Sequence, residues 1–465
     1  MKRINIYIAL VMLITLASCS SYQSYTRVNP EKVEAYRNAK QSADTSSIAT
    51  LNWKTFFQDE TLIMHIDSAL VNNLDMQRTQ QNLSIAQSLV KQSKAALGPA
   101  VNAGVTYTRQ ERSGESAIGQ VLGSGGIDDW TLGPNLSWEL DIWGRLSSQK
   151  RAAIARYYQT ENVQRLVQSQ VVNAVASFYY TLQSLDAQKG IVEQTIKNRS
   201  EGIETSKALK ESGSLTEVAV KQTEAQLLTA KAILVDIENQ INITENALRV
   251  ILGKAPGTIN RNPFPENINN DELLKIGVPI QMLNNRPDVL LAEYDLVEAL
   301  ELTNSAQASF YPTLRITGNG GLNSQNFSDL FNANALFANI TSGLLQPIFN
   351  QRKLKTQKEI RLSEQEIAAL DYKESVLVGY QEVANALSNI DASKQKLVYK
   401  SQEKDALDMS LEFSEELQKQ GFVNYLEILR ARDLTLNAEL EIINLKLTQL
   451  IGQNNLYRAL GGGWR

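Results

Sequence analysis

The stretch GFVNYLEILRARDLTLNAELEIINLKLTQLIGQNNLYRALG, Gly421 to Gly461, has a counterpart 208 positions earlier (421 minus 213). Gly213 to Gly253 reads GSLTEVAVKQTEAQLLTAKAILVDIENQINITENALRVILG. Few positions are identical, but the layout is shared. A glycine opens each segment, Leu248 aligns with Leu456, and Leu-Gly closes both. So long a period is no solenoid repeat; it predicts two similar halves. In the first copy, positions 227, 230, 234, 237, 241, 244, 248 and 251 hold Leu, Ala, Leu, Ile, Ile, Thr, Leu and Ile. In the second, positions 426, 429, 433, 436, 440, 443, 447 and 450 are Leu or Ile except for Asp433. This alternating three-four spacing predicts long helices with a coiled-coil seam.

The 465 residues are 43% hydrophobic and 21% charged, which fits a folded chain rather than a disordered one. A formal net charge of -4 argues against a nucleic-acid surface, which would be basic and clustered. One histidine and one cysteine leave little for a metal cluster and nothing for an internal disulfide. Lys2 and Arg3 precede the apolar run Ile4 to Leu16, and Leu16-Ala17-Ser18-Cys19 follows, the pattern of an export signal. Cys19 is either incidental or an anchor. Its place resembles a bacterial lipobox, which implies cleavage before Cys19 and acylation, palmitate included. By resemblance to proteobacterial lipoproteins, Ser20 favours the outer membrane. Acyl chains would hold the chain at a bilayer at about 0.8 kcal/mol per buried CH₂.

Residues 20 to 50 are polar and read as a tether. Trp53, Phe56, Phe57 and Asp59 open the folded part. A helix is expected from Asp59 to Leu97, with a break near Asn72 and Asn73, until Gly98-Pro99 stops it. Val101, Ala103, Val105 and Tyr107 alternate with polar residues and predict a strand. Glu111 to Asp129 reads as an exposed loop. A second strand follows from Trp130 to Leu140, with Leu136, Trp138 and Leu140 on one face and Pro134 at an edge or bend. Trp143-Gly144-Arg145 ends this hairpin. Long helices come next, with a turn expected near Gly190 and another at Gly213. The second half repeats the order. A helix over Asp288 to Ser309 leads to strands near Thr313–Gly321 and Leu336–Leu345, then to helix from Gln351 to Lys419. Gln346-Pro347-Ile348-Phe349-Asn350 aligns with Leu140-Asp141-Ile142-Trp143-Gly144, and Phe310-Tyr311-Pro312 with Leu97-Gly98-Pro99.

Strands of about ten residues suit a tilted transmembrane β-strand. Four strands cannot close a barrel, and open edges are not tolerated in lipid. Two chains supply eight strands and three supply twelve. Two readings stay open on periodicity alone: hairpins capping a soluble helical bundle, or a membrane sheet completed by several copies.

Trp138-Glu-Leu-Asp-Ile-Trp-Gly-Arg145 and Asn285-Arg-Pro-Asp-Val289 carry a resemblance. So do Trp53 with Phe56 and Asp59, Ala69-Leu70 with Asn73-Leu-Asp75, and Gly421 with Tyr425-Leu426. The mature chain resembles the outer-membrane efflux proteins of TolC type, in the lipoprotein branch of OprM, CusC and NodT. The resemblance implies a mostly α fold with membrane β: a trimeric twelve-stranded β-barrel continued by a periplasmic α-helical coiled-coil tunnel, with two internal repeats per chain. It implies strands 101–110, 130–140, 313–321 and 336–345 in the barrel. An equatorial region would come from residues 190–210, 255–285 and 390–410. Periplasmic tips at Gly213 and Gly421 would meet an adaptor. The expected division is a signal peptide 1–18, a lipidated tether 19–52, a first repeat 53–254, a linker 255–285, a second repeat 286–461 and a tail 462–465.

The resemblance further implies a passive channel in a tripartite export system. Its partners would be a periplasmic adaptor (membrane fusion) protein, an inner-membrane pump of RND type, outer-membrane lipid and two more copies of the chain, with no nucleic acid. A coiled-coil lipoprotein that bridges envelope proteins without conducting is the alternative. Members close to OprM often carry an aspartate on the inner coil at the place of Arg430 and an arginine at the place of Asp433. Leu426, Arg430 and Asp433 are therefore the candidate periplasmic gate, closing through an arginine ring, swapped ion pairs or ordinary interhelical contacts. No enzyme, cofactor or metal is expected. His65 stands alone, no nucleophile has a base and orienting group, and the glycines at 123, 125 and 126 lack a phosphate loop's lysine.

Overall fold

The computed structural model describes residues 22–27, 36, 46–122, 125–266, 268, 276–277 and 279–465. Cys19 and the signal segment lie outside them. The elements are α1 (Glu60–Asn72), α2 (Leu74–Ala95), β1 (Ala100–Glu111), α3 (Ala117–Leu122), β2 (Gly126–Leu140), α4 (Arg145–Glu211), α5 (Glu217–Ile251), α6 (Pro279–Asn285), α7 (Pro287–Ala308), β3 (Thr313–Ser324), β4 (Leu336–Leu345), α8 (Lys353–Lys419) and α9 (Tyr425–Ala459). The 208-residue shift that relates the glycine-bounded segments carries α4 onto α8 and α5 onto α9, end to end. The chain divides into two compact units. One holds 1–28, 83–159 and 292–372; the other holds 29–82, 160–291 and 373–465.

The first unit contains a four-stranded antiparallel sheet in the order β1-β2-β3-β4. Its register sorts the side chains by chemistry. One face carries Val101, Val105 and Tyr107 beside Leu136, Leu132 and Trp130. The same face continues through Leu314 and Ile316 of β3 to Leu344 and Ser342 of β4. The opposite face carries Asn135, Asn319 and Asn339 across three neighbouring strands, with Thr317 beside Thr341. Side chains alternate across a strand, so a one-residue slip would exchange the two faces. Pro134 pairs with Ala103, whereas the β2–β3 ladder passes over Gly133 and Pro134. Proline has no N–H to give, and a Cβ on Gly133 would lie 1.8 Å from the Gly320 carbonyl oxygen. The expected bend therefore falls at the β2–β3 seam.

The motif after β2 builds the corner from strand to helix. Trp138 donates its indole N–H to the Leu97 carbonyl (2.9 Å), and Trp143 donates to the Pro312 carbonyl (2.8 Å) while stacking on Tyr311. Asp141 accepts from the Leu146 and Ser147 amides, two of the N–H groups a helix start leaves unpaired. Glu139 pairs with Arg145 at 2.7 Å. In the same unit, Gln23 exchanges two hydrogen bonds with the Asn304 side chain through its main chain. Tyr25 and Arg27 both bind Glu293.

The second unit packs around Tyr457, which stacks on Phe56 at 4.1 Å and donates its hydroxyl to the Leu51 carbonyl. Asp59 caps α1 and accepts from Tyr179 and Asn262. Asn73 caps α2 and donates to the Ile251 carbonyl at the end of α5. Arg286, 3% exposed, joins the Ala459 carbonyl, Asp288 and Glu382. Motif residues that carry the resemblance thus hold helix ends together.

Four expectations are corrected. No turn occurs at Gly190: α4 is continuous from Arg145 to Glu211. One interior glycine costs about 1 kcal/mol in a helix, which the burial of Leu185 and Val192 on either side outweighs. The presumed loop 111–129 contains α3 and the first residues of β2. The alignment of Gln346–Asn350 with Leu140–Gly144 is two residues out, because Ala100 pairs with Ser137 and Thr313 with Leu345. Ser137 is thus equivalent to Leu345, and Gly144 to Arg352; both Gly144 and Arg352 have positive φ (74° and 65°). Lastly, the seam expected along α9 is only partly its buried stripe. Leu426 is 42% exposed, while Tyr425, Ile428, Leu429, Leu436, Leu445 and Gln449 are buried.

Candidate functional site

The two helical hairpins α4–α5 and α8–α9 end in the same construction. Gly213 has φ 80° and Gly421 has φ 79°, the left-handed region that side chains with a Cβ rarely adopt. The Ser214 amide bonds back to the Leu209 carbonyl and the Phe422 amide to the Leu417 carbonyl, which closes each ascending helix. Three residues after each glycine, Thr216 and Asn424 cap the returning helix. A Cβ on either glycine would meet nothing within 4 Å. Phe422, 77% exposed, stands beside the second turn.

Behind the turns, Ala219, Tyr425, Ile428 and Leu429 form a small core with Leu215 and Leu411. Ser206 donates to the Tyr425 hydroxyl at 3.0 Å. About eight residues into α9, roughly 12 Å of helical rise, lies a charged cluster. Arg199 of α4, 3% exposed, places one nitrogen 2.5 Å from an Asp433 carboxylate oxygen and another 2.6 Å from the Gln226 carbonyl. Gln226 donates its amide to the other Asp433 oxygen at 2.7 Å and to the Leu429 carbonyl. A groove lined by Gly190, Arg199, Gly202, Glu415 and Arg432 runs beside the cluster. Arg432 pairs with Glu415 at 2.7 Å.

Of the candidate gate residues, Asp433 is tied to Arg199, not to Arg430. Arg430 is exposed and has no ion-pair partner among the described residues. Local spacing put Arg430 and Asp433 within reach of one side of α9, but the carboxylate turns to another helix. Arg199 escaped notice, although it breaks an apolar row in α4 as Asp433 does in α9: Val192, Ile196, Arg199 and Ile203 follow at three-four spacing. His65 binds the Asn260 carbonyl at 2.8 Å beside Tyr179, a packing role.

A two-faced sheet with open edges, and paired helical hairpins closed by glycine turns, define a chain of the outer-membrane efflux channel fold. The chain belongs to the outer membrane efflux protein family, whose model matches residues 65–254 and 278–462, one match in each half. It is 28% identical over 470 residues to TtgF, a toluene efflux pump outer membrane protein of Pseudomonas putida, covering 98% of this chain and 97% of that one. It is 27% identical over 460 residues to the cation efflux system protein CusC of Escherichia coli, covering 97% of each. The open-state MtrE outer membrane channel of Neisseria gonorrhoeae superposes with a TM-score of 0.85 at 23% identity, over 96% of this chain and 99% of that one.

Proposed function

We propose that this protein is the outer-membrane duct of a tripartite efflux system, carrying substrate passively from an inner-membrane pump and a periplasmic adaptor to the exterior. The observation that carries the reading is the four-stranded sheet with one apolar and one polar face and two edges that are unpaired among the described residues. Such a sheet suits lipid on one side and water on the other once its edges are closed by further copies. Three copies give a twelve-stranded barrel. No described helix is long and apolar enough to cross a membrane. The helices α5 and α9, 35 residues each, have about 52 Å of rise along their own axes.

In this reading the Gly213 and Gly421 turns are the adaptor-contacting tips, and Leu426, Arg430 and Asp433 line the periplasmic constriction. Cys19 is the lipid anchor, and the pump is of RND type. The domain division is the one set out from the sequence: signal 1–18, tether 19–52, repeats 53–254 and 286–461 around the linker 255–285, and tail 462–465. Substrate specificity comes from the pump, because a duct imposes little chemistry; the relatives' names span toluene and cations. The test is purification in detergent, mass determination and planar-bilayer recording. Trimers that conduct after the constriction is loosened support the reading. Trimers silent in every loosened variant, or monomers alone, overturn it.

A further inference from the structure

The sheet has two open edges, β1 and β4, and the chain contains a template for joining them. The β2–β3 junction is where the first half's hairpin meets the second half's. If copies of the chain close the sheet, β4 of one copy meets β1 of the next, which is the same junction made between chains. The internal repeat fixes the translation. Pro99 corresponds to Pro312, a shift of 213 (312 minus 99) that carries β1 onto β3. The hairpin registers, Ala100 with Ser137 and Thr313 with Leu345, then carry β2 onto β4 with a shift of 208 (345 minus 137). One hydrogen bond checks both shifts at once. Trp138 donates to the Leu97 carbonyl, and the translated pair, Gln346 to the Phe310 carbonyl, is present at 3.0 Å.

We propose that β4 of one copy pairs antiparallel with β1 of the next in a single register, with Ile348 opposite Val101, Leu344 opposite Val105, Gly343 opposite Thr106 and Ile340 opposite Arg109. These pairs translate Leu140 with Leu314, Leu136 with Gly318, Asn135 with Asn319 and Leu132 with Leu322 of the β2–β3 junction. The register extends β4 pairing past Leu345, where the chain's own ladder stops. It adds a neighbour on the open side of side chains that stay exposed in a single copy: Ile348 is 94% exposed, Ile340 81%, Leu344 67%, Val101 61% and Val105 62%. It also keeps the faces in phase. The apolar face uses odd positions on β1 and even positions on the other strands, so opposed residues across the new junction must be odd with even. Registers one residue away put Leu344 on the polar face, which side-chain alternation forbids at a half-buried sheet. Registers two residues away keep the faces but lose the template.

Two details follow. Gly133 and Pro134 interrupt the β2–β3 ladder, but their translated positions are Thr341 and Ser342, facing Thr108 and Tyr107. That interruption is thus absent from the junction between copies, where the one residue without an N–H to give is Pro347, opposite Asn102 near the end of the register. The Trp143 bond to the Pro312 carbonyl translates to the Gln351 side-chain amide of one copy donating to the Pro99 carbonyl of the next.

The inference rests on the reading that copies of the chain close the sheet, and disulfide trapping separates the two. Thr106→Cys with Gly343→Cys, and Thr108→Cys with Thr341→Cys, are opposed pairs in the proposed register. Thr106→Cys with Thr341→Cys, and Thr108→Cys with Gly343→Cys, are each two residues out. Opposed Cα atoms lie about 4.5–5.5 Å apart and diagonal ones about 7–8 Å, while a disulfide spans about 4.4–6.8 Å. Within one copy β1 and β4 are three strand spacings apart, roughly 14 Å, so any bond joins two copies. Ser137→Cys with Thr317→Cys, opposed within the chain, controls for oxidation. The expected result on non-reducing gels is at least tenfold more intercopy product from the two opposed pairs than from the two shifted ones. Preferential trapping of a shifted pair overturns the register and leaves the channel reading standing. No intercopy product in an assembled oligomer whose control oxidises overturns the junction itself. A monomer in detergent overturns both the junction and the channel reading.

Discussion

Removing the Asp433 carboxylate is expected to loosen the helices near the hairpin turns, and Arg199 is the reason. In Asp433→Ala the Arg199 guanidinium, whose side chain is 4% exposed in the parent, keeps the Gln226 carbonyl but loses its one anionic contact among the described residues. Its Nε already lacks a hydrogen-bond partner. Breaking a fully buried ion pair destabilises by about 3–5 kcal/mol. The Asp433 side chain is 44% exposed, so water screens part of this attraction. The Asp433 carboxylate accepts one charge-assisted bond, from Arg199, and one from the Gln226 amide. The expected loss is about 2–3 kcal/mol per copy, nearer the range of a hydrogen bond to a charged group. In an assembly the loss recurs in each copy. Arg199→Met should recover about half of it when combined with Asp433→Ala, since the buried charge is then gone. Arg430→Ala should lie within about 0.5 kcal/mol of the parent, as expected for an exposed side chain. Exchanging the charges, Arg430→Asp with Asp433→Arg, should not restore stability, because it sets a second cation against Arg199. The assays are denaturant unfolding in detergent, and single-channel recording for resting conductance, which should rise in Asp433→Ala. Parental stability and closure in Asp433→Ala would refute the argument. So would a charge-exchanged variant that regains both.

Gly213→Val and Gly421→Val force a β-branched residue to φ near 80°. With no neighbour to clash, the turns should distort locally, lowering adaptor crosslinking severalfold while outer-membrane insertion persists; unchanged crosslinking in both would remove the tip assignment. Cys19→Ser should abolish the diacylglyceryl modification seen by mass spectrometry of the mature N-terminus, and an unmodified parental N-terminus would refute the anchor. Burial, then the neighbouring Asp371 carboxylate, holds the Asp295 carboxyl above the usual carboxylate range. A raised folded-state value means that this group's contribution is full below the ordinary carboxylate pKa and is lost as pH rises through the raised one. Asp295→Asn should therefore stabilise at pH 7 and have no such benefit at pH 3; equal effects at both would refute the assignment. Trp143→Phe keeps the stacking on Tyr311 but loses the bond to the Pro312 carbonyl. It should cost about 1 kcal/mol in unfolding experiments.

The long helices were legible from three-four spacing, the glycines that end them from their place at the edges of the pattern, and the strand faces from alternation at Val101, Ala103 and Val105. These are local signals: a helix or strand presents its period within a few residues, so one sequence suffices to read it. The duplication was legible as well, because two halves with the same helical layout keep the same punctuation. Which partner each side chain finds was left to the tertiary structure. Asp433 was visible as a charge in an apolar row, but its cation lies 234 positions away in α4. The nearby Arg430 looked like the natural partner only because sequence distance was the one distance available. Gly190 read as a turn because isolated glycine destabilises helices; packing by Leu185 and Val192 decided otherwise. The two-residue correction after β4 has the same origin. Alternation sets which face a residue joins, but only hydrogen-bonded pairing with a neighbouring strand sets which residue stands opposite it.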